Sequence, residues 1–215
     1  MRWVTFDCFG TLIDWNTGFA SILRPLAGEN TPALMAAYHR CERTVEGERP
    51  HRLYKHVLVE SVLRAAGEIG MAVSEGQAQA LPDSWDRLPP FADVEPMLAS
   101  LRGSGYSIGV LTNCDDDLFE RTERAFVGRF DRVITAEQVR SYKPSLAHFH
   151  RFASLAKPDH WVHVACSWYH DISPARELEI KRIWLDRDRT GEDPAAASAR
   201  VTSADDVLSA VARLA

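Results

Sequence analysis

Residues 2–12 read Arg2-Trp3-Val4-Thr5-Phe6-Asp7-Cys8-Phe9-Gly10-Thr11-Leu12. The run Trp3–Phe6 is apolar or β-branched and ends abruptly at an aspartate and a glycine-containing turn. A short apolar run closed by turn residues is the pattern of a strand covered on both faces, as in a parallel sheet. Four more such runs follow: Ser107–Thr112, Arg132–Thr135, Trp161–Ala165 and Arg182–Leu185. Helical spacing of apolar residues fills the gaps between the last four, at Asp116–Phe126, Leu146–Leu155 and Pro174–Glu179, and Ala204–Leu214 closes the chain. Strand alternating with helix predicts an α/β fold, a Rossmann-like doubly wound parallel sheet.

About 90 residues separate the first two runs, far more than one crossover helix uses. Thr31-Pro32 supplies an N-cap and a first-turn proline for one helix. A second, near His51–Ala66, carries Leu53, Val57, Val62 and Leu63 on one side, and Ser74 with Gln77 forms a capping-box signal for a third. Pro89-Pro90 marks the return, and Asp93 is placed to cap a helix over Val94–Leu101. The reading is a helical insert at 14–90 on an α/β core made of 1–13 and 91–215.

Composition narrows the function. The chain has 215 residues, 25 Lys plus Arg against 30 Asp plus Glu, and a net charge of −5. An acidic chain without a basic run argues against nucleic acid or an anionic membrane as partner. No apolar stretch approaches the ~20 residues of a membrane span, and the N-terminus lacks a signal-peptide pattern. Cys8, Cys41, Cys114 and Cys166 fit neither a disulfide framework nor a zinc site. Reduced thiols in a cytoplasmic protein, acting on a small molecule, are expected.

Open α/β sheets bind ligands at the carboxyl ends of their strands. Those ends carry Asp7, then Thr112-Asn113, then Lys143-Pro144, then Cys166-Ser167 followed by Asp171. A carboxylate, a hydroxyl, a lysine and a second carboxylate converge there, a set able to perform nucleophilic catalysis.

Asp7-x-x-Gly10-Thr11-Leu12, Leu111-Thr112-Asn113, Lys143-Pro144 and Ser167-x-x-x-Asp171, in this order and each after a predicted strand, resemble the four motifs of the haloacid dehalogenase superfamily. The resemblance covers the chain and makes the insert the family's helical cap. It implies Asp7 as nucleophile, forming a covalent ester, and Lys143 keeping Asp7 ionised. It further implies Thr112, Asn113 and backbone N–H groups after Asp7 holding the anionic part of a substrate. Asp171 would steady Lys143 and position the hydrolytic water.

Most of that superfamily are magnesium phosphatases with a second aspartate two residues after the nucleophile. Here that residue is Phe9, which transfers no proton, and Cys166 stands where an acidic magnesium ligand is usual. An aromatic residue at Phe9 resembles the L-2-haloacid dehalogenase branch, since a halide leaves without needing a proton. That branch implies a metal-independent enzyme without cofactors, acting on a small 2-substituted carboxylic acid, and a homodimer. Its cap supplies an arginine for the halide, for which His39 or Arg40 is the counterpart here. Ser167 and Trp168 fall at the substrate side of the fourth motif, with Trp168 in place of the branch's water-orienting asparagine. Asp115-Asp116-Asp117 would repel an anion unless it caps the next helix and faces away. Two other readings stay open: a phosphatase with Mg²⁺ held by Asp7, Asp171 and backbone, and a catalytically silent binding or dimerisation module.

Overall fold

The computed structural model describes residues 1–214. Six strands form one all-parallel sheet in the order β3-β2-β1-β4-β5-β6. They are β1 (Arg2–Phe6), β2 (Ser107–Thr112), β3 (Arg132–Thr135), β4 (His160–Ala165), β5 (Lys181–Leu185) and β6 (Ala199–Val201). The helices are α1 (Trp15–Ala27), α2 (Thr31–Gly47), α3 (Tyr54–Glu68), α4 (Glu75–Ala78), α5 (Ala80–Asp83), α6 (Val94–Gly103), α7 (Asp116–Glu123), α8 (Ala136–Val139), α9 (Ala147–Ala156), α10 (Ser173–Glu177) and α11 (Val207–Leu214). The doubly wound α/β sheet expected from the sequence is present. Its strand order runs outward in both directions from the β1–β4 pair, which places a ligand crevice at the carboxyl ends of those two strands. No helix among the described residues is long and apolar enough to cross a membrane.

Period-two alternation sorts β1 between two cores. Val4 and Phe6, followed by Cys8, enter the large cluster, while Trp3 enters a smaller one with Leu111, Phe149 and Phe152. The helices α1 to α5 lie between β1 and β2 in the chain. The segments that enter and leave them run side by side: Asp14 N donates to Pro89 O at 2.8 Å, and Phe91 N to Leu12 O at 3.0 Å.

Several local expectations are corrected. The sequence reading missed α1, which Asp14 caps through the Thr17 N–H. It also missed β6, whose three residues are too few to show a period. Thr31 does not cap α2 but is its first residue, and its hydroxyl donates to Gly28 O. The Ser74–Gln77 capping box forms as expected. Asp93 precedes α6 without capping it; Arg187 takes both carboxylate oxygens at 2.9 Å.

Asp115 is the most consequential of these corrections. It stands at the N-cap position of α7, yet its carboxylate accepts the first N–H groups of α3, from Tyr54 at 2.6 Å and Lys55 at 2.9 Å. A carboxylate after β2 thereby caps a helix of the segment between β1 and β2, and Lys55 adds an ion pair to Asp117 at 2.6 Å. Asp115→Ala leaves two helix-terminal donors without that acceptor and is expected to cost about 1–2 kcal/mol, with Asp115→Asn milder. Urea midpoints of the two variants against the parent check the order.

Candidate active site

Asp7 leaves β1 at the centre of the sheet, and Gly10 turns the chain directly after it. Gly10 has φ +93°, and a Cβ there would stand 2.8 Å from Cys166 Sγ, so the turn and the end of β4 lie too close for a side chain. The turn spends its own donors. Gly10 N–H goes to Ile13 O, and those of Thr11, Leu12 and Ile13 go to Cys8 O. Of the N–H groups expected to hold an anion after Asp7, these four are committed to the loop. Thr11 instead brings its hydroxyl back, donating to Asp7 Oδ2 at 2.8 Å while accepting the Cys166 N–H at 2.9 Å.

Lys143 extends from the loop after α8 and is only 1% exposed. Its ammonium donates to Asp7 Oδ1 at 2.9 Å, Asp171 Oδ1 at 2.6 Å and Leu111 O at 2.8 Å. Three N–H groups meet three acceptors, so none is left for a substrate. Burial works against the Lys143 charge, but Asp171 and Asp7 outweigh it and hold its pKa above the ordinary lysine value. Burial raises the Asp7 carboxyl above its ordinary value, with Lys143 pulling against it and Asp171 adding to it. Burial would also raise Asp171, yet Lys143 and His163 overcome it and hold that carboxyl down at about 2.

A line of donors supports Asp171 from beneath. Trp161 Nε1 donates to Thr5 Oγ1 at 2.7 Å, Thr5 Oγ1 meets His163 Nδ1 at 2.9 Å, and His163 Nε2 meets Asp171 Oδ1 at 3.0 Å. An indole can only donate and a carboxylate can only accept, so the Thr5 hydroxyl accepts from Trp161, His163 Nε2 must donate to Asp171, and the Thr5 hydroxyl is placed to donate to a bare Nδ1. The proton of His163 is then on Nε2, facing the carboxylate. Asp171 Oδ2 is buried and without a hydrogen-bond partner, an acceptor held ready beside Lys143.

The structure brings Asp7, Lys143 and Asp171 together as the sequence suggested. It places the remaining candidates differently. Thr112 is fully buried, with its hydroxyl on Cys114 Sγ at 3.6 Å. Asn113 clasps the Lys143 backbone, accepting its N–H at 2.7 Å and donating to its carbonyl at 3.1 Å. Both side chains have protein partners, and Asn113 positions the lysine loop. Ser167 is bound to the backbone N–H and Nδ1 of His170, at the start of a single π turn over Trp168–Ile172 that delivers Asp171. Trp168 is half-buried and packs edge-on against Trp184 at 5.2 Å, beside a small core cluster. Arg40 does not reach the site, because it is exposed and paired with Glu68 at 2.9 Å. His39 is half-buried, edge-on to Trp15 at 4.8 Å, and Trp15 Nε1 approaches within 3.2 Å of the space above Gly10. Burial and Arg43 lower the His39 pKa. Phe9 packs edge-on against Trp85 at 4.9 Å.

Sequence reasoning missed Thr5, Thr11, His163 and Glu46. A signal existed for two of them. Thr5 and His163 are polar residues inside apolar strands, they pair across β1 and β4, and they alternate onto the face of Asp7. Glu46 lies on α2 and reaches the site only through tertiary packing.

A magnesium ion at this edge would need hard oxygen ligands. Both Asp7 oxygens are hydrogen-bonded, Asp171 offers one free oxygen, and the residue after β4 is Cys166. Burial and the Asp7 charge push the Cys166 thiol up to about 12, so it stays neutral. This donor set does not fit magnesium. No group of three or more His, Cys, Asp or Glu among the described residues is arranged to hold a metal ion.

Known proteins share this fold. The haloacetate dehalogenase H-2 of Moraxella sp. (strain B) is 22% identical over 207 residues, covering 89% of this chain and 90% of that protein. The crystal structure of an L-2-haloacid dehalogenase superposes with a TM-score of 0.87 at 21% identity over 99% of both chains. The L-2-haloacid dehalogenase of Xanthobacter autotrophicus with chloropropionic acid covalently bound superposes at 0.85 and 16% identity over the whole of both chains. The family model for haloacid dehalogenase-like hydrolases matches residues 1–165, more than half of the chain. By that match, and by the fold and the motifs that carry the site, the chain belongs to the haloacid dehalogenase-like hydrolases.

Proposed function

We propose that the chain hydrolyses small 2-halo carboxylic acids through an ester on Asp7. The observation that carries this reading is Phe9. Two residues beyond the nucleophile, it presents an aromatic ring packed on Trp85 where an alkoxide leaving group would need an acid. A halide needs none.

One Asp7 oxygen attacks C2 of the substrate, the carbon–halogen bond breaks, and the halide departs with the bonding pair. Lys143 balances the buried charge of Asp7 before attack and that of Asp171 after it. Water then attacks the ester carbonyl carbon of Asp7. The free Oδ2 of Asp171 receives that water's hydrogen bond, and the His163 donor keeps Asp171 anionic for the task. The products are a 2-hydroxy acid, halide and one proton. Two relatives support the substrate class by name, and the covalent chloropropionate complex of one supports the intermediate. On this reading the insert at 14–90 is a cap over the nucleophile, and the reaction needs no metal or cofactor.

Halide release from L-2-chloropropionate in EDTA is expected, and one turnover in ¹⁸O-water should label the Asp7 peptide. Asp7→Asn should abolish both. Magnesium-dependent hydrolysis of p-nitrophenyl phosphate, without halide release, would favour the phosphatase reading instead. Because burial raises Asp7, the acid limb of kcat/KM should fall about tenfold per pH unit from a pH above 3.8.

Lys143→Met leaves two buried carboxylates facing each other. It is expected to destabilise the fold by about 3–5 kcal/mol and to end turnover. Lys143→Arg should not rescue it, since three acceptors converge on one nitrogen. Denaturant midpoints and halide assays on the same samples check both.

A further inference from the structure

Glu42 and Glu46 lie one turn apart on α2 and both turn inward. Glu42 accepts the hydroxyls of Tyr38 and Tyr54. Glu46 reaches farther, to the carboxyl edge of the sheet. Its Oε1 is 3.5 Å from Asn113 Nδ2 and its Oε2 is 3.8 Å from His170 Nε2, contacts too long for strong hydrogen bonds. Its side chain is only 10% exposed. Asn113 follows β2 and holds the lysine loop; His170 directly precedes Asp171. The insert therefore sets a carboxyl group against the same edge that must receive the substrate.

Among the described residues no lysine or arginine forms an ion pair with it there. The three Lys143 N–H groups are already spent. Arg43 is exposed on α2, 5.8 Å over the Tyr169 ring. Burial lowers the His170 pKa to about 4, which favours its neutral form. Ser167 Oγ accepts the His170 backbone N–H and meets Nδ1 at 3.1 Å, which turns Nε2 toward Glu46 without a hydrogen bond between them.

We propose that Glu46 is the specificity-determining residue of this site, and that a 2-halo acid anion is bound together with one proton carried on Glu46. The inference rests on the function proposed above. An ionised Glu46 would set a second buried anion beside the substrate carboxylate. The protonated carboxyl removes that repulsion and adds an O–H donor at an edge whose lysine has none left. The groups that face Glu46 set its state. Glu42 and Arg43 come from α2, Asn113 from the end of β2, Lys143 and Tyr142 from the loop after α8, and His170 from the π turn, with Tyr38 and Tyr54 around Glu42. Burial and then Glu42 raise the Glu46 carboxyl well above its ordinary value, and Lys143 and Arg43 do not offset them.

The test is the KM of L-2-chloropropionate from neutral to alkaline pH. In the parent enzyme KM should climb by up to about tenfold per pH unit as Glu46 ionises. The KM of neutral 2-chloropropionamide should not. Glu46→Gln should flatten the acid's profile and lower its KM at alkaline pH, with the change falling in KM more than in kcat. A flat parent profile, a Glu46→Gln profile with the parent slope, or an amide that follows the acid would each overturn the proposal. Calorimetric titration of the parent with propionate, in two buffers of different ionisation heat, reads the same event without a variant. Proton uptake near one per propionate at alkaline pH supports it, and none overturns it. If no label enters the Asp7 peptide, the proposed function fails; if label enters and KM ignores pH, only this inference does.

Discussion

The structure depends on one buried ammonium group. Lys143 joins the carboxylate after β1, the carboxylate in the turn after β4 and the last apolar carbonyl of β2, all within 2.9 Å of one nitrogen. Three strands that meet at the crevice are thereby tied at their carboxyl ends. Two carboxylates this close would not both ionise in a buried site without a shared cation. The rest of the edge serves that arrangement. Asn113 fixes the backbone of the lysine, Thr11 holds the second oxygen of Asp7, and His163 holds Asp171.

This accounts for how the chemistry divides. A shared cation that keeps two carboxylates charged supplies, on the proposed reading, a nucleophile and a water-binding group together. What the edge does not provide is a proton for a departing alkoxide, since Phe9 occupies that position, or an oxygen cage for a hard metal, since Cys166 closes β4. The segment between β1 and β2 also reaches this edge. It meets the edge through Glu46, while the arginine that its sequence seemed to offer, Arg40, turns outward to Glu68.

The sheet was legible because its five longer strands are short, mostly apolar or β-branched, and closed by turn residues. Asp7 and Asp171 could be read because each comes soon after such a strand, whereas Lys143 lies beyond α8 and was read from its Lys-Pro pair within the four-motif order. Register on α2 could not. His39, Arg40, Arg43 and Glu46 span two turns, and only packing against α1 and α3 decides which face is buried. Asp115 misled for a related reason. A carboxylate before a helix reads as that helix's cap, and no local pattern says that a helix sixty residues upstream takes it first. Trp168 was hidden by the π turn, whose extra residue rotates the ring onto Trp184.

The donor line beneath Asp171 has a direction. Every hydrogen in it, from the indole of Trp161 through Thr5 and His163, points toward the carboxylate, and its far end is a ring nitrogen that cannot take a proton on. Such a line orients but does not conduct. A proton taken up at Asp171 has no exit along this line, because the Trp161 indole at its end cannot accept it.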